Sequence, residues 1–209
     1  MDTTVLRLLD GSKAYVHAVI DNFSRRILTF RVGATVDVGN AIAVLMDAVR
    51  NATAKETTGT QSPPMLMVDG GIENFNTRVD EMIASGLLRR VLAQTEVSFS
   101  NSLIEAFWRT MKHQWLFLNT LDSVAPVRRH VTFYVTAHNS EIPHAAFRGQ
   151  TPDEVYFGTG ADIPDRLATA KKEALAARLA ANRGASCANC SGRLSPTKSA
   201  ADPARAAAA

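Results

Sequence analysis

At 209 residues and 46% hydrophobic the chain can bury one real core, and its lack of any run of ~18 apolar residues argues against a membrane-spanning helix. Its start, Met1-Asp2-Thr3-Thr4, has neither a basic stretch nor an apolar leader, so a cytoplasmic protein is expected. Net charge is +3, yet residues 159–209 hold eight Lys/Arg against four Asp/Glu and residues 1–158 hold fifteen against sixteen, so any affinity of the core for a polyanion must come from local patches.

In chain order, residues 5–9 read as a strand and Asp10-Gly11 as a two-residue hairpin turn before a second strand over 14–20. Asp21-Asn22-Phe23-Ser24 then turns the chain into a third strand, 27–32, and Asp21 reads as the residue that such a turn demands. Ile42, Leu45, Met46 and Val49 keep helical spacing across 37–50, followed by a polar loop over 53–64. The apolar run Met65–Val68 is a strand that ends at Asp69-Gly70-Gly71. A helix over 75–85 follows, with Gly86 just past its end, then a short strand over 88–93. The order βββ-α-β-α-β predicts an α/β fold with a mixed five-stranded sheet, three antiparallel strands then two more, flanked by helices.

After the polar segment 94–100, a helix over 102–118 carries Ile104, Phe107, Met111, Trp115 and Leu118 in one apolar stripe and Glu105, Arg109 and Lys112 on another face. Glu105 and Lys112 are seven residues apart and share a side, about 10.5 Å from each other along the axis. Trp108 and Trp115 read as core or interface residues. Residues 165–183 read as an Ala-rich helix with too few apolar positions for its own core, and residues 184–209 as a disordered tail. The predicted organisation is a core over 1–158, a helical extension over 159–183 and a tail over 184–209. Cys187 and Cys190 fall short of the four ligands of a structural zinc site and read as free thiols.

Each acid has an ordinary reading by itself. Ser102-x-x-Glu105 fits a capping box, Glu105 with Arg109 an i,i+4 pair, Asp69-Gly70 a turn and Asp2 a terminal residue. Taken together they say more, because 35 residues separate Asp69 from Glu105. With Asp2-Thr3-Thr4, these acids resemble the D, D-x35-E carboxylate set of transposases and retroviral integrases, the DDE recombinase family. Ala18-Val19-Ile20-Asp21-Asn22-Phe23-Ser24-Arg25-Arg26, Asp69-Gly70-Gly71-Ile72-Glu73-Asn74, and Asn101-Ser102-Leu103-Ile104-Glu105 with Lys112 are similar to further motifs of that family. Residues 138–152, from His138-Asn139 through Pro143-His144 to Gly149-Gln150-Thr151-Pro152, resemble the closing motif Y-N-x-x-R-P-H-x-x-L-x-G-x-T-P of bacterial insertion-sequence transposases. His138 stands there in place of Tyr, and Ile142 in place of Arg.

The resemblance covers about residues 2–158 and implies a ribonuclease H-like fold and a polynucleotidyl transferase that cleaves DNA and transfers strands during transposition. It implies Asp2, Asp69 and Glu105 as the catalytic acids, holding two Mg²⁺ or Mn²⁺ ions, since hard ions take oxygen ligands. Lys112, Arg109, His113, Arg128 and Arg129 are the implied DNA contacts, in a wider basic track with Arg89, Arg90 and His130. His144 reads either as a phosphate contact or as a helix-terminal packing residue. The implied partners are DNA (element ends and target), further copies of the chain on that DNA, and a separate helix-turn-helix protein or full-length transposase. A first strand truncated at its start is expected, which leaves open a non-catalytic remnant that binds DNA or an intact transposase. A nuclease without strand transfer is the third alternative.

Overall fold

The computed structural model describes residues 1–53, 63–68, 77–92 and 102–189. Strands β1 (Asp2–Arg7), β2 (Lys13–Ile20) and β3 (Ile27–Gly33) form an antiparallel sheet in that order, with Asp2 opposite Ala18 and Val16 opposite Val32. The β1–β2 connection is a five-residue loop rather than the predicted two-residue turn. Gly11 takes a left-handed φ of 84°; the Leu8 N–H donates to the Ser12 carbonyl at 2.9 Å and the Gly11 N–H to the Leu8 carbonyl at 3.0 Å, and the Ser12 N–H and hydroxyl both donate to Asp10 Oδ1, so backbone bonds close the loop and the Asp10 side chain braces it. At the β2–β3 turn the Ser24 N–H and hydroxyl donate to Asp21 Oδ2 at 2.8 and 2.6 Å, which makes Asp21 a turn residue as predicted.

Strand alternation splits the core into two layers. On one face, Ala14, Val16 and Ala18 of β2 with Leu6 of β1 and Ile27 and Val32 of β3 are covered by α3 (Ser102–Gln114) and α4 (Val124–Ser140). Those helices contribute Ile104, Phe107, Trp108 and Met111, and Val127, Val131, Tyr134 and Val135. On the other face, Val19 packs with Ala41, Val44, Leu45 and Ala48 of α1 (Val38–Thr53). The same cluster holds Leu66 of β4 (Met65–Val68), Val79 and Met82 of α2 (Thr77–Ala84), and Leu88 ahead of β5 (Arg89–Leu92). β4 and β5 pair in parallel, Met65 opposite Arg89.

Two predicted elements differ. The five strands lie in a three-stranded sheet and a separate parallel pair rather than one sheet. Met1 nitrogen donates to the Met67 carbonyl at 3.0 Å, a contact at the residue before β1 that joins the two sheets without running on as a ladder. The helix predicted over 102–118 stops at Gln114, and a 3₁₀ turn over Leu116–Leu118 follows Trp115, whose φ is −136°. Tertiary contacts override the period there: Trp115 Nε1 donates to the His130 carbonyl at 3.1 Å, and its ring stacks on Phe133 at 4.8 Å.

The stretch 138–152 is scaffold. Asn139 reaches across from α4 to Ile27, accepting its N–H at 2.9 Å and donating to its carbonyl at 3.0 Å. His138 Nε2 donates to the Arg25 carbonyl at 2.9 Å. His144 Nδ1 accepts from Ala146 N–H and caps the 3₁₀ turn Ala145–Phe147, the helix-terminal role of its two readings. Thr151 and Glu154 form a capping box at the start of α5 (Pro152–Phe157), whose Asp153 takes the Arg26 guanidinium at 2.6 Å.

Burial lowers the pKa of His138 against the opposing Arg25 carbonyl bond, and burial with the nearby Arg25 charge lowers that of His144. Both folded values lie below the ordinary 6.5, so the unfolded chain takes up more protons as pH falls. Their contribution to stability is complete above the ordinary value and is lost as pH drops through the folded values. Urea midpoints at pH 7.5 and 5.0 should therefore fall on acidification. They should fall less in His144→Asn, which keeps an acceptor for the cap and does not titrate; an equal fall would remove His144 from the effect.

The compact unit is Met1–Pro164. From Asp165 the chain forms its own unit, carried by α6 (Ile163–Asn189). That helix runs past Arg183 into residues expected to be disordered, where Ala185 and Ala188 favour continued helix despite Gly184. Residues 190–209, and with them Cys190, lie outside the described residues. No helix among the described residues is long and apolar enough to cross a membrane.

Candidate active site

Asp2 stands at the head of β1, half-buried, on the same side of the strand as Thr4 and Leu6. Its Oδ1 accepts the Thr3 N–H at 2.7 Å, and its Oδ2 accepts Trp108 Nε1–H of α3 at 2.9 Å. Thr3 faces the opposite way, where its hydroxyl bonds His17 Nδ1 at 2.8 Å across the β1–β2 pair. The first acid is thus tied to the helix that carries Glu105 and Lys112.

On α3, Glu105 lies three residues before Trp108 and Lys112 four after it, spacings that place all three on one side of the helix. Glu105 is exposed, and no ion pair joins it to Arg109 among the described residues. Lys112 is half-buried; burial lowers its pKa while the negative charge of Asp2 opposes that shift. One helix face therefore presents an exposed carboxylate, a donor bound to the first acid, and a cation that feels that acid.

Asp69 lies outside the described residues. The strand that leads to it is fixed: β4 ends at Val68, and the Met67 carbonyl receives Met1 nitrogen, one residue ahead of Asp2. Among the described residues no three His, Cys, Asp or Glu side chains group closely enough to hold a metal; Asp2 and Glu105 are the two members of the expected set within them.

The basic residues divide. Arg109 and His113 project from α3 into solvent, with the His113 ring edge-on to Phe117 at 5.3 Å. Arg128 and Arg129 are exposed on α4, but Arg128 Nη2 donates to the Val32 carbonyl of β3 at 3.2 Å. β3 is two strands from β1, so Arg128 is anchored roughly 10 Å to the side of the strand that carries Asp2. Arg90 pairs with Asp80 at 2.9 Å, which engages one member of the wider track.

Sequence reasoning placed Trp108 in the core and missed what its nitrogen does. The one available signal was chemical: a buried Trp needs an acceptor for its N–H.

Residues 88–152 match the integrase core domain family. The transposase InsK of insertion sequence element IS150 from Escherichia coli is 21% identical over 146 residues, which cover 70% of this chain and 50% of that protein. The chain thus spans about half the length of that relative. The HTLV-2 integrase catalytic core domain in complex with magnesium superposes with a TM-score of 0.56 at 15% identity, over 74% of this chain and 91% of that one. The simian T-cell lymphotropic virus intasome gives 0.58 at 14% identity over 74% and 51%. The Mos1 transposase catalytic domain with manganese gives 0.50 at 14% identity over 79% and 76%.

Proposed function

From the premise that this chain carries a ribonuclease H-like core of the integrase and transposase kind, we propose that it is a DDE transposase catalytic core that cleaves DNA and transfers a strand as an insertion sequence moves. The observation that carries the reading is the Asp2–Trp108 bond, which ties the first acid to the face of α3 bearing Glu105 and Lys112. The tie from Met1 to Met67 supports including Asp69, the residue that follows β4.

Asp2, Asp69 and Glu105 would hold two Mg²⁺ or Mn²⁺ ions, and the donor set suits them, being carboxylate oxygens of the hard kind these ions prefer. The magnesium of the HTLV-2 core and the manganese of the Mos1 domain support that choice of metal. When bound, the ions offset charge on the phosphate and on the attacking and leaving oxygens.

The chain's own groups do the rest. Asp2, clamped at both oxygens, offers a carboxylate of fixed orientation. Glu105 presents a second from an exposed turn of a helix held rigid by Ile104, Phe107 and Met111. Lys112, with Arg109 and His113, meets DNA phosphates beside the acids, while Arg128 and Arg129 extend the contact along α4. In strand transfer a freed 3′-hydroxyl oxygen forms a new bond to a target phosphorus as the bond to the target's O3′ breaks; the hydroxyl proton passes to solvent and the leaving O3′ takes one up from it. Element ends, target DNA and further copies of the chain are the partners of this reading, and the cytoplasm its place.

The test is an end-cleavage and joining assay with labelled insertion-sequence ends. Joined products should appear with Mn²⁺ or Mg²⁺ and vanish in EDTA. Products that persist in EDTA would overturn the reading.

A further inference from the structure

We infer that Trp108 is a positioning residue for the first acid: its indole N–H fixes the plane of the Asp2 carboxylate and couples β1 to the turn of α3 that carries Glu105. The inference rests on the metal-site reading above and adds to it a residue outside the acid set.

The last torsion of an Asp side chain is broad and nearly two-fold, so a carboxylate at the head of a strand is easily rotated. A single donor would leave it free to pivot about that bond. Here there are two, on different oxygens and from different elements: the Thr3 N–H on Oδ1 at 2.7 Å and Trp108 Nε1–H on Oδ2 at 2.9 Å. The Thr3 bond travels with the strand, whereas the Trp108 bond refers the carboxylate to a helix 106 residues away. A carboxylate oxygen can accept at two sites, so a donor on each oxygen is compatible with a cation on the same group.

The donor is itself immobile. Trp108 is 5% exposed, lies in the core cluster with Leu6 and Met111, and has its ring centroid 5.2 Å from that of Phe107 at an interplanar angle of 58°. Indole nitrogen only donates, so its role is fixed, unlike that of a hydroxyl or an imidazole. Lys112 is the charged group of α3 that acts on the same carboxylate, and being half-buried at the end of a flexible stem it is the looser of the two. Because Glu105 and Trp108 are three residues apart on one rigid helix, the bond to Asp2 also sets how near the first acid comes to the last.

Groups that orient metal ligands typically change metal affinity 10–100-fold when removed, which sets the expected effect. Trp108→Phe keeps an aromatic ring in the core and deletes the donor. Mn²⁺ titrations followed by electron paramagnetic resonance should show about 10–100-fold weaker uptake in Trp108→Phe, and Trp108→His, which restores an N–H, should recover part of the loss. In the metal-free chain, Asp2→Ala should move the Trp108 indole N–H resonance and speed its exchange with solvent. Superimposable Mn²⁺ titrations of Trp108→Phe and the unsubstituted chain, or an indole resonance indifferent to Asp2→Ala, would overturn the inference. If the unsubstituted chain takes up no Mn²⁺ while the indole still responds to Asp2→Ala, the metal-site reading fails and the Asp2–Trp108 tie stands.

Discussion

Glu105→Gln should lower metal-dependent strand transfer by about a thousandfold and leave the fold intact. The side chain is exposed, lies outside the apolar clusters and makes no ion pair among the described residues, so the substitution removes a charge and little else. A metal-held charge contributes several kcal/mol to stabilising phosphoryl transfer, and each 1.36 kcal/mol is a factor of ten in rate, which gives about three decades. Surface changes of this kind stay within about 0.5 kcal/mol of stability, or roughly 2 °C in melting temperature for a unit of this size. The joining assay on both proteins checks the first figure and thermal unfolding the second. Equal activity would remove Glu105 from the mechanism.

The second large effect is on stability and falls in the stretch resembling a transposase signature. Asn139→Ala should destabilise the compact unit by about 2–6 kcal/mol, because it deprives both the N–H and the carbonyl of Ile27 of their side-chain partner in a buried place, at about 1–3 kcal/mol for each unsatisfied group. The melting temperature should drop by roughly 4–24 °C. Asn139→Asp, which retains an oxygen for the Ile27 N–H but loses the donor to its carbonyl, should fall in between. A melting temperature unchanged in Asn139→Ala would show that β3 is held without this clamp.

Those two residues differ in how far they were legible. Glu105 announces itself by its distance from Asp69 and by the Asn101-Ser102 that precedes it. Asn139 carries a motif match, but its partner, Ile27, lies 112 residues away, and no local pattern connects them. The same holds within α3. Its apolar stripe correctly put Ile104, Phe107 and Met111 in the core, yet continued through Leu118, which is 75% exposed beyond the break at Trp115.

The chain order of elements from β1 to α3, the turn at Asp21, the helix over α1 and the likeness to integrase cores were decided by the amino-acid sequence, since periods of two and 3.6 residues and turn chemistry are local properties. Which polar groups meet was decided only by tertiary structure. Asp2 finds Trp108 across 106 residues, and His144 Nδ1 is drawn into capping its own turn. The physical reason is that burial obliges each donor and acceptor to find a partner, and the identity of that partner depends on how the layers stack, which no stretch of sequence encodes alone.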